Sequence, residues 1–319
     1  MKYLVMGAGA LGSVFGGMLA EHGHDVTFVG ADDHLLAMRE QGLTITGIWG
    51  EHHVHPVKAH YKTEGLEGVF DVVLLCVKSY HTATVIAQTA PYLHESSLVF
   101  SIQNGLGNWE IIADAVGWDR TVGARVIFGA EVPRPGTARV TVYADKVLLG
   151  SPSGTAPKDK IDTVRSHLDS AGIPCSVTDD IESSLWGKVL YNCSLNALGA
   201  ILNVPYGELS ETPALMDMIR RVIGEIFEVA RAKGVKLPYA HAGEYFRVLT
   251  EVQLPPTASH RSSMLQDLSR GSLLTEIDAL NGAISRYGRE LGVMTPANDF
   301  LTAIVKGLEH RASTRHASR

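Results

Sequence analysis

Lys2-Tyr3-Leu4-Val5-Met6-Gly7-Ala8-Gly9-Ala10-Leu11-Gly12-Ser13-Val14-Phe15-Gly16-Gly17-Met18-Leu19-Ala20 begins as an apolar run, turns through closely spaced glycines and continues as a second apolar run. Tyr3 to Met6 has the length and content of a buried strand, and Ser13 to Ala20 those of a helix. Strand, G-x-G-x-x-G, helix is the order that a dinucleotide-binding βαβ unit needs. Gly7 permits the tight turn, Gly9 lets backbone approach a pyrophosphate, and Gly12 lets helix and strand pack closely. The helix N-terminus then faces the phosphates. The motif alone is weak evidence. It gains specificity from Asp25-Val26-Thr27-Phe28-Val29, which supplies the second strand of the unit.

Beyond this unit the chain keeps alternating. His34 to Gln41 is a helix ended by Gly42, and Leu43–Thr46 and His53–Val57 alternate as a strand pair around Gly50. Asp71 to Val77 is a nearly continuous apolar run, as a central parallel strand requires, and it ends in Lys78. Ser97 to Ile102 is another, ending in Gln103-Asn104-Gly105-Leu106-Gly107. Ligands of open α/β sheets bind beyond the carboxyl ends of strands, so Lys78 and Asn104 are placed to line a cofactor cleft on the Rossmann side. The plainer alternative is an exposed loop lysine and a turn-forming asparagine. Thr121–Ile127, Arg139–Val142, Lys146–Leu149 and Ile173–Val177 read as further strands, the third pairing with the Val140 strand through an Ala144-Asp145 turn. His52-His53-Val54-His55 resembles a metal-binding cluster. Neighbouring residues on a strand point to opposite faces, however, and no Cys or carboxylate motif is in register, so no metal is expected.

After Asp180 no strand-like run remains. The expected architecture is therefore an α/β Rossmann-type N-terminal domain, residues 1–179, followed by an all-α C-terminal domain, residues 180–319. Asp179-Asp180 with Glu182 suits a helix N-terminus, and that helix runs to Asn203-Val204-Pro205. Inside it, Leu185-Trp186-Gly187-Lys188-Val189-Leu190-Tyr191-Asn192-Cys193-Ser194-Leu195-Asn196 is mostly apolar, yet Lys188, Asn192 and Asn196 recur at i, i+4 and i+8. Four residues turn a helix by about 400°, so the three side chains drift slowly along one face and span roughly 12 Å. A cation and two amides in line suit a small ligand rich in oxygens. Equally, Lys188 could snorkel to water and the asparagines could cap neighbouring elements. Pro213 opens the next helix, which Gly234 and Pro238 end. A helix follows over His241–Val252, then one after Gly271 through Thr275–Gly282, and a last one after Thr295-Pro296 with a frayed polar tail over 311–319.

Composition excludes several classes. A net charge of -6 gives no electrostatic reason to expect nucleic acid or an anionic membrane surface. No apolar run approaches the ~18 residues that span a bilayer. The N-terminal apolar stretch lacks the length and cleavage pattern of a signal peptide. Cys76, Cys175 and Cys193 are widely spaced and odd in number, which fits reduced thiols in a cytoplasmic protein.

Taken together, Gly7 to Gly12, Cys76-Val77-Lys78, Gln103 to Gly107, Trp186-Gly187-Lys188 with Asn192 and Asn196, Ser262-Ser263-Met264-Leu265-Gln266-Asp267 and Thr275-Glu276-Ile277-Asp278 resemble the ketopantoate reductases over almost the whole length. The resemblance implies NADPH-dependent reduction of 2-dehydropantoate on the route to pantothenate and coenzyme A. It also implies a Rossmann domain that binds NAD(P) and a helical domain that carries substrate and catalysis, with the active site between them. By position, Lys188 would protonate the ketone oxygen and Glu276 would sit beside it. Asn104, Asn192, Asn196 and Ser263 would hold the substrate. Gly7, Gly9, Ala10, Leu11, Gly12, Lys78, Asn104 and Glu276 would meet the cofactor, and Asp32 joins them by its spacing from the glycine motif and not by the resemblance. The expected partner is a small 2-oxo acid, with a homodimer the compatible assembly. The plain alternative for Glu276 is a capping residue on a helix surface.

Three departures from the family pattern matter. Ala31 falls where the family has an arginine suited to the 2′-phosphate of NADP. Asp32 follows Gly12 by about 20 residues, where an acidic residue bonds the ribose 2′-hydroxyl of NAD. NADP is thus implied by resemblance, and NAD is favoured by Ala31-Asp32-Asp33, unless the two aspartates merely cap the next helix. Tyr206 replaces an asparagine that some members place on the substrate side. One extra residue separates Ser263 from Glu276, absorbed in the Ser269-Arg270-Gly271-Ser272 turn. The rival readings are a dehydrogenase of branched or aromatic D-2-hydroxy acids on the same scaffold, and a nucleotide-sensing protein without chemistry. Retention of both Lys188 and Glu276 argues against the latter.

Overall fold

The computed structural model describes residues 1–317. The chain divides into two compact units, Met1–Gln103 with Asn108–Ile181, and Asn104–Gly107 with Glu182 onward. This differs from a single cut between 179 and 180. Asp180 and Ile181 stay with the first unit, and the tetrapeptide 104–107 leaves it for the second.

In the first unit β1 (Lys2–Met6), α1 (Ala10–Glu21) and β2 (Asp25–Val29) form the anticipated βαβ unit. There follow α2 (Asp33–Gln41), β3 (Leu43–Gly47), β4 (His52–Val54), β5 (Lys58–His60), β6 (Phe70–Leu75), α3 (Thr82–Thr89), β7 (Leu93–Ser101) and α4 (Asn108–Val116). The rest is β8 (Thr121–Arg125), β9 (Phe128–Arg134), β10 (Thr137–Tyr143), β11 (Val147–Gly150), α5 (Lys158–Ser170) and β12 (Cys175–Val177). The main sheet has the order β12-β11-β8-β7-β6-β1-β2-β5. Its run from β5 to β8 is parallel throughout, and β11 joins β8 antiparallel. The β5-β2-β1-β6-β7-β8 order reverses its winding between β1 and β6, the point at which doubly wound sheets bind ligands. Alternation along β1 sends Tyr3 and Val5 into one apolar layer and Leu4 and Met6 into the other, so the strand is buried on both faces.

The expected hairpin between the Val140 strand and Lys146–Leu149 does not form. β10 is already flanked by β9 and β3 in a separate four-stranded sheet, β4-β3-β10-β9. β11 instead pairs with β8 and β12, and Val147 and Leu149 enter the core against Ile161, Val164 and Leu168 of α5. Burial of those apolar side chains outweighs the short connection that favoured a hairpin. β4 directs His52 to Glu21, with Nδ1 to Oε2 at 2.6 Å, while His53 lies 3.3 Å from Thr44 Oγ1.

The second unit is helical: α6 (from Ile181 to Leu202), α7 (Tyr206–Ser210), α8 (Pro213–Lys233), α9 (Ala242–Val248), α10 (Ser263–Ser269), α11 (Asn281–Leu291) and α12 (Pro296–Ala317). No strand occurs here among the described residues. α8 starts on Pro213 and ends on the left-handed Gly234, as the sequence requires. α9 is shorter than expected and continues as a π turn over Leu249–Gln253. Residues 275–280 are not α-helical: Ile277–Ala279 form a single 3₁₀ turn, and α11 starts only at Asn281. α12 continues to Ala317, so its tail does not fray at 311, and residues 318 and 319 lie outside the described residues. Glu225 of α8 accepts from the backbone N–H of Ala297 and Asn298 at 2.7 and 2.9 Å, capping α12 from outside. Asn281 Nδ2 donates to Cys193 O in α6 at 3.1 Å and to Asn298 Oδ1 at 3.0 Å, tying three helices together. Among the described residues no helix is long and apolar enough to cross a membrane.

Candidate active site

At the carboxyl end of β1 the backbone makes the site. Gly7 has φ +99°, and a Cβ there would lie 2.7 Å from Val77 N, because the chains leaving β1 and β6 meet at this point. A Cβ on Gly12 would lie 2.0 Å from Gly7 O, whereas one on Gly9 would meet nothing within 4 Å. Gly9 is the N-cap of α1 and brings no side chain to it, so the first N–H groups, those of Ala10 and Leu11 included, are left for a ligand. A tight turn, close packing and one open side fit a dinucleotide pyrophosphate. Lys78 follows β6 and is half-buried. Behind it Gln103 Nε2 donates to Val77 O at 3.0 Å and to Thr82 Oγ1 at 2.7 Å, joining the exits of β6 and β7. Gln103 stood in the sequence only as part of a turn, and its role as a clamp had no local signal.

At the end of β2, Asp32 caps α2: its Oδ1 accepts from Leu35 N at 3.0 Å. The cap uses one carboxylate oxygen of an exposed side chain. Arg39 lies with its guanidinium 5.4 Å from the centre of the Tyr61 ring.

In the second unit the polar set is made by side chains. Lys188, half-buried on α6, donates from Nζ to Asn104 Oδ1 at 2.5 Å. Asn104 therefore belongs with the helices and not, as expected, on the Rossmann side. The reason is local: Leu106 N donates to Ala279 O at 2.7 Å, and Gly105, φ +83°, approaches so closely that a Cβ would sit 2.4 Å from that oxygen. Asn192 is half-buried one turn on from Lys188, and Asn196, the next, is 3% exposed. Tyr206 donates from its hydroxyl to Asn196 Oδ1 at 2.6 Å.

Ser262, fully buried, caps α10 by accepting from Leu265 N at 3.0 Å and donates to Asn196 O at 3.2 Å. Ser263, the candidate from sequence, is exposed at the first residue of α10. Glu276 is 6% exposed and precedes the 3₁₀ turn, so it is not a helix-surface residue. The preceding Thr275 is held by Glu309 Oε1, which accepts from its N–H and its hydroxyl, each at 2.7 Å. Lys306 bonds Asp278 and lies 3.0 Å from Glu309 Oε2. Burial opposes its charge, but the hydrogen bonds to Asp278 and Glu309 outweigh that and raise its pKa.

Family models for ketopantoate reductase PanE/ApbA match residues 3–154, and for its C-terminal domain residues 180–309. The chain belongs to the ketopantoate reductase family. It is 38% identical over 309 residues to a 2-dehydropantoate 2-reductase of Aquifex aeolicus, covering 97% of each chain. Among solved structures it resembles a PanE/ApbA family ketopantoate reductase from Ralstonia eutropha, with TM-score 0.88, 34% identity and 98% and 100% coverage. A D-mandelate dehydrogenase solved with NADH and anilino(oxo)acetate is similar at TM-score 0.87 and 28% identity, over 98% of this chain and 100% of that one. The family makes the chain an NAD(P)H-dependent oxidoreductase acting on CH–OH, with a Rossmann N-terminal domain and a helical C-terminal one.

Cys76, Cys175 and Cys193 are free, and burial raises each thiol, that of Cys175 to about 12. Tyr206 and Ser262 make contacts that sequence reasoning did not supply. Their contacts with Asn196 join segments that only folding brings together.

Proposed function

We propose that this chain reduces the ketone of 2-dehydropantoate to the alcohol of pantoate, with Lys188 as the general acid. What carries the reading is the contact of Lys188 Nζ with Asn104 Oδ1 on a helix that also presents Asn192 and Asn196. A reduced nicotinamide, when bound, supplies the hydride to the ketone carbon. The alkoxide that develops on oxygen needs a positioned donor, and Lys188 would give it a proton. Asn104 steadies the ammonium group until substrate arrives. Glu276 would sit beside the reacting oxygen, Asn192 and Asn196 would hold the carboxylate and hydroxyl ends, and Ser263 would contribute from the start of α10. Gly7, Gly9, Ala10, Leu11, Gly12 and Lys78 would hold the dinucleotide.

NAD is the favoured cofactor. Asp32 leaves one carboxylate oxygen for a ribose hydroxyl and would repel a 2′-phosphate carrying close to two charges.

A second reading has its own support. The similar D-mandelate dehydrogenase was solved with an aryl oxo acid, and here Tyr206 packs edge-on to Tyr191 beside Asn196. A bulkier aromatic 2-oxo acid is the substrate on that reading. Initial rates with NADH and NADPH against 2-dehydropantoate, a branched aliphatic and an aromatic 2-oxo acid decide. The first reading expects the highest kcat/KM with 2-dehydropantoate. A tenfold advantage for the aromatic acid, about 1.4 kcal/mol, would replace it with the second.

A further inference from the structure

Asn196 is 3% exposed, and its carbonyl oxygen is taken by the Tyr206 hydroxyl at 2.6 Å. No described residue accepts from its Nδ2. Among the described residues of this unit, the polar side-chain atoms sealed without a partner are Asn281 Oδ1 and Ser285 Oγ. Asn196 Nδ2 is not among them, so it has no protein partner yet is not sealed off. A buried amide with one end bonded and the other end open is costly unless something completes it.

The amide orientation follows from Tyr206. Burial and the neighbouring Tyr191 raise the phenol far above its ordinary pKa, so the hydroxyl keeps its proton. That proton has one acceptor among the described residues, Asn196 Oδ1. Turning the amide over would leave the phenol proton without a partner. Tyr206 is itself held. Its N–H donates to His260 O at 3.0 Å, Gly207 N donates to Ala258 O at 2.8 Å, and the ring packs against Tyr191 and His260. The Asn196 backbone is fixed from the other side, its oxygen accepting from Ser262.

We propose that Tyr206 is a positioning residue that sets the polarity of the substrate subsite, holding Asn196 so that its NH₂ group faces the substrate. A subsite that can only donate selects an oxygen acceptor such as the carboxylate of a 2-oxo acid, and rejects a group that must donate. The proposal rests on the reading, given under Proposed function, that Asn196 contacts substrate.

The test uses the full-length enzyme with 2-dehydropantoate at saturating cofactor. Tyr206→Phe keeps the ring and removes the hydroxyl. KM for the oxo acid should rise roughly five- to tenfold, the range of one hydrogen bond, with kcat within about twofold. Cofactor Kd, read by fluorescence titration, should not move. Asn196→Asp keeps an acceptor for Tyr206 but turns an acceptor toward the substrate, so KM should rise about a hundredfold or more through like-charge contact. That rise should exceed the one in Asn196→Ala. Tyr206→Phe combined with Asn196→Ala should be no worse than Asn196→Ala alone, since the hydroxyl acts through the amide. A Tyr206→Phe enzyme with unchanged KM, while Asn196→Ala raises KM, would overturn the role of Tyr206 and leave the substrate reading intact. An Asn196→Ala enzyme with unchanged KM would remove both. If Tyr206→Phe proved unstable, Asn196→Asp still decides: KM no higher than in Asn196→Ala overturns the proposal.

Discussion

At the end of β1 the first unit offers backbone: a left-handed Gly7, an open Gly9 and a Gly12 pressed against Gly7 O. On α6 the second unit offers side chains, with Lys188 bonded to Asn104 from 84 residues earlier and Asn196 bonded to Tyr206. Backbone chemistry of the first kind needs only a short run of the right residues, because the strand, turn and helix are contiguous. Side-chain chemistry of the second kind needs partners from α6, α7, α10 and the loop ahead of α11. The two regions should therefore fail differently when altered.

The largest expected effect is in the side-chain region. Lys188→Ala should lower kcat at least ~10²-fold, the low end for losing a positioned acid, while the cofactor Kd stays near that of the parent. Stopped-flow hydride transfer and cofactor titration measure both. A variant with nearly unchanged kcat and an intact fold would sink the assignment.

In the backbone region, Gly9→Ala and Gly12→Ala should separate binding from folding. The Gly9 Cβ meets no protein atom, so the thermal midpoint should hold while cofactor Kd rises about tenfold or more through loss of close approach. The Gly12 Cβ collides with Gly7 O, so that variant should lose roughly 2–3 kcal/mol of stability, within the range for overpacking. Equal stability loss in both variants would break the contrast.

The Asp32 cap gives a smaller effect. Asp32→Ala with Ala31→Arg should shift the ratio of kcat/KM toward NADPH by about tenfold, or ~1.4 kcal/mol. A parent enzyme that already prefers NADPH tenfold would overturn the NAD preference. An unmoved ratio in the double variant would place the discriminator elsewhere, with Arg39, which lies over the Tyr61 ring, the next residue to replace.

The smallest effect concerns acid. Burial lowers the pKa of His24, His34 and His167 in the first unit and of His260 in the second. For His24 the nearby His167 adds to it, with ring centres 4.2 Å apart. The unfolded chain then takes up protons before the folded one does. Stability from these groups is complete above about pH 6.5 and is lost as pH falls through the lowered folded values. Protection from hydrogen exchange, taken relative to the intrinsic rate at each pH, should fall more in the first unit than in the second between pH 7.5 and 5.5. His24→Gln should reduce that difference.

Much of the first unit was legible because each decisive feature is local. Apolar runs such as Val72–Leu75 declare central strands, and glycines declare turns. The Lys188, Asn192 and Asn196 stripe was legible for the same reason, being one helix face. Strand partners were not. Val147–Leu149 reads as a strand, but whether it joins β10 or β8 depends on which edge is already occupied and where α5 packs.

By itself, then, the sequence determined the βαβ unit, the all-α second half and the three polar positions on α6, since periodicity and chain sterics act over a few residues. Only the tertiary structure decided that Asn104 sits with the helices, that Ser262 rather than Ser263 is buried against α6, and that Tyr206 takes the Asn196 carbonyl. Those outcomes depend on which buried donors and acceptors meet, and segments far apart in the chain settle that only when they pack together.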